Sequence, residues 1–161
     1  MKAITLYQPW ASACVCGLKP YETRSWATKH RGPIAIHAAK SVPRKLIRAM
    51  GPQYAVLVEF VRGLVDPHSF DELPFGAVVG ACGLIDCMPT LLLKPRLSAL
   101  DLQWGDFSPG RFAWKLIHPV QMVPVVCRGA QGLWDLPKEV ERVVSQQLAA
   151  LVYRRGVKAD A

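Results

Sequence analysis

Three things are scarce in this chain, and each absence narrows what it can be. No apolar run approaches the roughly 18 residues a membrane-spanning helix needs. Gln8 and Pro9 also interrupt the apolar stretch behind Lys2, so neither a membrane anchor nor a secretory signal is expected. No two cysteines form a C-x-x-C pair: Cys14 and Cys16 are two apart, Cys82 and Cys87 five apart, and Cys127 stands alone. Structural zinc sites use paired ligands at tighter spacing, so reduced thiols, no metal and no other cofactor are expected, in a cytoplasmic protein. The third scarcity is acid at the start. Residues 1–50 hold nine Lys/Arg and a single carboxylate, Glu22. Nine minus one accounts for the whole formal charge of +8, leaving the rest of the chain neutral. A basic half beside a neutral half points to a polyanionic partner, or to a solvated basic face.

What is present is ordinary globular composition, half hydrophobic and one fifth charged over 161 residues. That length suits one domain, with a core that needs no disulfide staple. Lys2–Tyr7 reads as a strand, and Pro9–Cys16 as a short helix stopped by Gly17. Tyr21–Trp26 reads as a polar edge strand and Pro33–Ala39 as a buried one. Ser41 is the expected cap of a helix with Pro43 in its first turn, broken at Gly51-Pro52. A second helix follows, with Tyr54, Val58, Val61 and Val65 on one face. Gly76–Cys87 is a long strand whose glycines mark a bulge or a close backbone approach. Residues 89–110, punctuated by Pro and Gly, read as a long functional loop. Arg111–His118 and Met122–Cys127 read as two strands joined across Pro119. Asp135 opens the last helix, whose apolar stripe is Val140, Val143, Val144, Leu148, Leu151 and Val152, with fraying from Arg154. Few strands, curved by glycine, favour an α+β fold: a small barrel of five to six strands with peripheral helices.

The densest polar cluster is Gly17-Leu18-Lys19-Pro20-Tyr21-Glu22-Thr23-Arg24, at the junction of the short helix and the second strand. Alternation along a strand puts Glu22 and Arg24 on one face and Thr23 on the other. Lys19 lies in the connecting turn. Such a set binds a phosphate or a polar base edge, or forms a salt-bridged turn with no ligand. Trp26, and less readily Trp10, offers a ring on which a base can stack. Lys29, His30 and Arg31 form a basic turn suited to phosphates, or simply to solvent. His37 reads as an inward-facing core residue. Asp106, Ser108 and Arg111 either close over a cleft or pin their own turn. Gly129–Trp134 reads as a structural turn with Trp134 over the core.

Gln8-Pro9-Trp10-Ala11-Ser12, then Gly17-Leu18-Lys19-x-x-Glu22-x-Arg24-Ser25-Trp26, then His30-Arg31-Gly32, resembles the ASCH family (activating signal cointegrator homology). The resemblance covers residues 4 to about 135. It implies a PUA-like β-barrel over residues 1–155, with 156–161 a short tail, and a cleft beside Lys19–Arg24. It also implies binding of single-stranded RNA or a nucleoside or nucleotide derivative. Some bacterial members resemble ribonucleases, and one branch hydrolyses acetylated cytidine with a Lys, Thr and Glu set. Lys19 matches that lysine, but Glu22 stands where the threonine falls, with Thr23 adjacent. The alternative to a binding module is therefore a metal-independent ribonuclease or amidohydrolase using Lys19, Glu22 and Thr23. A lysine base needs a lowered pKa, and a neighbouring carboxylate raises it, which favours Lys19 as a fixed charge. A protein partner would explain the barrel but not the charge asymmetry.

Overall fold

The computed structural model describes residues 1–64 and 73–159, with 152–159 described by backbone alone. Among the described residues six strands form one mixed sheet: β1 (Lys2–Leu6), β2 (Tyr21–Arg24), β3 (Gly32–Ala38), β4 (Ala77–Pro89), β5 (Phe112–Val126) and β6 (Leu133–Asp135). Their spatial order is β2-β5-β4-β3-β1-β6. The β1–β3 pair is parallel, and the others are antiparallel. The sheet curls into a half-barrel, the α+β, PUA-like arrangement expected from the sequence. One edge strand is β2, as the polar character of Tyr21–Trp26 suggested.

The sheet is buried on both faces, and the two faces differ in residue size. Towards α1 (Trp10–Val15) lie Ile4, Leu6, Ile34, Ile36, Val79, Leu84 and Trp114. Towards α6 (Lys138–Ala159) lie Ala3, Ala35, Val78, Ala81 and Met122, against Val140, Val144, Leu148 and Leu151. Period-2 alternation sorts these sets, and the alanines let a long helix approach the strands closely. Gly80 does the same for α1, since a Cβ there would collide with the Val120 carbonyl and the Val15 side chain. Register shifts at Val78/Gly80 and Ala81/Gly83 add the expected bulges. Gln8 is fully buried, bonds Ser12 through both ends of its amide, and donates to the Pro74 carbonyl 2.8 Å away. It thereby ties the start of α1 to the segment entering β4.

Several local expectations are corrected. Residues 89–110 are not a structureless loop: they contain α4 (Thr90–Leu93), a 3-10 turn (Lys94–Arg96) and α5 (Ala99–Gln103). Ser98 and Asp101 form a reciprocal capping box on α5. Arg111–His118 and Met122–Cys127 are one continuous strand, β5. Pro119 is tolerated because it sits with His118 (φ 49°) opposite Cys82 alone, in a bulge that needs no donor there. Ser41 does not cap α2 (Arg44–Met50), which follows Pro43 without a side-chain cap. Asp135 ends β6 rather than opening α6, which starts three residues on at Lys138, just after Pro137. In α3 (Pro52–Arg62) the buried residues are Leu57 and Val61, with Tyr54 and Val58 half-buried and Val65 outside the described residues. Val152 is likewise described only by its backbone, which is helical through Ala159.

Candidate nucleic-acid interface

A cleft of about 1550 Å³ opens between β2, the ends of the central strands, and the segments 102–106 and 126–132. Of the residues singled out by sequence, Lys19, Glu22, Thr23, Arg24, Trp26, Asp106 and Arg111 border it. Lys29, His30, Arg31 and Ser108 do not.

Lys19, Glu22 and Arg24 form one connected unit at the inner end. Lys19 is 2 % exposed, and its Nζ donates to the carbonyls of Tyr21 and Trp104, each at 2.7 Å. It also pairs with Glu22 Oε2 at 3.2 Å. The two carbonyls take two of the ammonium's three donors, and the Glu22 carboxylate balances its charge. The other Glu22 oxygen lies 3.0 Å from Arg24 Nε, as an ion pair without hydrogen-bond alignment. Arg24 Nη2 donates to the Thr5 carbonyl at 2.8 Å. Glu22 and Arg24 do share a face, as the strand period required. The unit ties α5's end to β2, and β2 to β1.

The loop after α5 is pinned, which is one of the two readings its sequence allowed. The Asp106 backbone N–H donates to Thr23 Oγ1 at 3.1 Å. Asp106 Oδ1 accepts from the Ser108 hydroxyl and backbone N–H. That hydroxyl is the main reason the Asp106 carboxyl is held below its usual range, with the Ser108 N–H and Arg111 helping against the cost of burial. Arg111 donates to the carbonyls of Asp106 and Thr23. Its polar capacity goes largely into closing the turn.

The aromatics divide. Trp26 is half-buried on the cleft wall, edge-on to Trp114 with ring centroids 4.7 Å apart. Trp10 also borders the cleft, tilted against Tyr54. Trp104 is 2 % exposed, and its indole N–H has no partner among the described residues. The basic turn is occupied elsewhere: Arg31 donates to the Thr28 and His30 carbonyls and lies 3.5 Å from Asp86. His37 is buried as expected, with Nε2 against the Cys127 carbonyl and Nδ1 unpartnered among the described residues. Burial pushes its pKa down.

Sequence reasoning missed the opposite wall. Thr5, Tyr7, Lys40, Phe75, Trp104, Arg128 and Gln131 border the cleft. The segment 129–132, read as a plain structural turn, forms part of that wall. No short-range pattern connects these positions; the ends of separate strands bring them together.

The ASCH domain family model matches residues 4–117. Activating signal cointegrator 1 from Homo sapiens is 32% identical over 143 residues, and its Mus musculus counterpart 28%. The match takes in 86% of this chain but only 23% of either relative's length. The crystal structure of ASCH from Zymomonas mobilis superposes with a TM-score of 0.53 at 19% identity, covering 93% of this chain and 94% of that one. That likeness bears on the fold alone. With the model match spanning the sheet from β1 into β5 and the inner charged unit inside it, this chain belongs to the ASCH domain family.

Proposed function

We propose that the cleft binds single-stranded RNA, with the inner Glu22–Arg24 pair meeting a base or nucleotide and the rest of the cleft following the strand. The observation that carries this reading is the size of the cleft together with its lining. At about 1550 Å³ it exceeds the roughly 300–1,000 Å³ of small-molecule pockets. Its walls combine cations with the rings of Trp10, Trp26, Tyr7 and Phe75. Alternating charge and aromatic surface suits unpaired bases and their phosphates. The family is linked to RNA binding, which agrees. Glu22, fixed by two cations, is suited to accept from a base amino group while Arg24 meets a phosphate or a base acceptor.

The hydrolytic alternative gains nothing from the geometry. Lys19 Nζ donates to two carbonyls and is ion-paired with Glu22, and Thr23 Oγ1 accepts from the Asp106 N–H. Neither set of contacts marks its residue as a base or a nucleophile.

Fluorescence anisotropy with a labelled single-stranded RNA over a salt series tests the proposal. Log affinity should fall linearly with log salt, by about 0.7 per phosphate neutralised. Glu22→Gln should weaken binding, because Arg24 loses its anchor. A flat salt response, or tighter binding by Glu22→Gln, contradicts it. Hydrolysis of acetylated cytidine by the wild type would restore the enzymatic reading.

A further inference from the structure

The mouth of the cleft has a chemistry different from its inner end. Lys40 and Arg128 border it, both are exposed, and neither side chain makes an ion pair or hydrogen bond among the described residues. Beside them stand three exposed apolar side chains: Tyr7 at 43% exposure, Phe75 at 47% and Val126 at 81%. These five residues come from four separate places in the chain.

Backbone hydrogen bonds hold them at one end of the sheet. The Ala39 N–H donates to the Leu6 carbonyl at 2.8 Å, placing Tyr7 and Lys40 side by side in the chain path. The Gly76 N–H donates to the Ala38 carbonyl at 2.9 Å, and the Cys127 N–H to the Gly76 carbonyl at 3.1 Å. Phe75, Val126 and Arg128 each flank a residue of that ladder. The Gln8 amide, bonded to the Pro74 carbonyl, fixes the approach of Phe75 from behind. The group therefore sits on rigid strand ends, not on a wandering loop.

Two aromatic rings exposed beside two unpaired cations have no internal purpose that the fold reveals. Rings in contact with water cost free energy that burial would recover, and unpaired cations on the same rim attract anions. Stacked bases and their linking phosphates satisfy both at once. A folded protein partner would supply no regular spacing of rings and anions, whereas a nucleotide strand does.

We propose that Tyr7, Lys40, Phe75 and Arg128 form a second nucleotide subsite, which holds the residue flanking the one in the inner cleft. The rings take its base, and the cations take the phosphates on either side. The ligand is then an oligonucleotide strand and not a free nucleoside or nucleotide. This inference rests on the reading of the cleft as an RNA site.

The test compares a short single-stranded RNA with the four nucleoside monophosphates. Lys40→Ala/Arg128→Ala should weaken the oligonucleotide, reduce its salt slope by about 0.7 for each phosphate no longer neutralised, and leave the monophosphates unchanged. Tyr7→Ser/Phe75→Ser should cost the oligonucleotide about ten-fold with the salt slope preserved. Lys29→Ala removes one charge outside the cleft, against two in the Lys40/Arg128 variant, and should change neither. Melting temperatures within a few degrees of wild type would show that the surface variants fold. Equal losses for oligonucleotide and monophosphates would place these residues in the inner site and overturn the proposal. No loss for either double variant would also overturn it, leaving single-site binding intact. If the wild type bound neither probe, the RNA reading itself would fall, and this subsite with it.

Discussion

The two ends of the cleft treat positive charge in opposite ways. At the inner end, Lys19 is buried, with Nζ donating to two carbonyls and ion-paired with Glu22. At the mouth, Lys40 and Arg128 face water without partners among the described residues. A buried cation must be fully compensated or it unfolds its surroundings, whereas an exposed one costs little and is free to meet a ligand. The same kind of side chain is thus part of the framework at one end and, on the proposed reading, meets the ligand at the other. On the proposed reading Lys19 is a positioning residue: its contacts hold Glu22 in place and tie the carbonyl of Trp104 to β2.

The largest expected effect follows directly. Lys19→Ala would leave Glu22 with Arg24 alone and strip the Tyr21 and Trp104 carbonyls of their donor. Breaking a buried ion pair from one side typically costs about 3–5 kcal/mol. For a domain of this size that lowers the melting temperature by on the order of 10 °C. Lys40→Ala, removing the same charge at the mouth, should leave the melting temperature within a few degrees. Thermal melts of the two variants, followed by circular dichroism, measure the contrast. Similar small shifts would mean that Lys19 is a ligand group after all, and the comparison between the ends would fail.

How much of this was legible beforehand depends on the range of the signal. Period-2 alternation put Glu22 and Arg24 on one face, and polar composition marked β2 as an edge, because both are properties of a few consecutive residues. The buried strand β3 and the helix breaks at Gly17 and Gly51 are local in the same sense. The short helices α4 and α5 were lost because four or five residues complete barely one turn, too few to show a period. A sharper reading of Ser98-x-x-Asp101 as a capping box would have found α5. Pro119 suggested two strands because proline cannot donate to a ladder, and only the pairing with β4 reveals the bulge that excuses it. The mouth was illegible for a deeper reason. Tyr7, Lys40, Phe75 and Arg128 meet only once the parallel β1–β3 pair and the β3–β4–β5 ladder exist. The basic turn at 29–31 misled in the opposite direction: a dense local charge run proved to lie outside the cleft and partly neutralised by Asp86.

A medium effect would sharpen the boundary between the ends. Thr23 Oγ1 is the acceptor that holds the Asp106 N–H, and so the loop closing one side of the inner end. Thr23→Val keeps the shape and removes the acceptor. It should cost about 1 kcal/mol, the usual net contribution of one internal hydrogen bond. Hydrogen exchange at the Asp106 amide should accelerate, while amides around Cys127 at the mouth should not change. Equal acceleration at both places would show that the cleft moves as one body and that the ends are not independent.

The smallest effect concerns the thiols behind the inner end, and it appears only in alkali. Cys82 donates weakly to the Cys14 carbonyl across 3.7 Å, and both are buried between α1 and the sheet. Burial pushes the Cys82 thiol up to about 12 from its usual 9.0, and raises Cys14 as well. An unfolded chain releases these protons near pH 9, while the folded chain keeps them. The folded form therefore loses stability as pH rises above about 9, until the folded thiols themselves ionise; below that value both forms are protonated and the thiols contribute no pH dependence. At pH 10 the difference is about 1 kcal/mol for Cys82. Cys82→Ala should lose a little stability at neutral pH, from the small cavity, yet show a shallower decline between pH 9 and about 12. Urea melts of wild type and variant across that range measure the difference in slope. Parallel curves would mean that water reaches Cys82, that the inner wall is looser than its packing indicates, and that the contrast with the open mouth is one of degree alone.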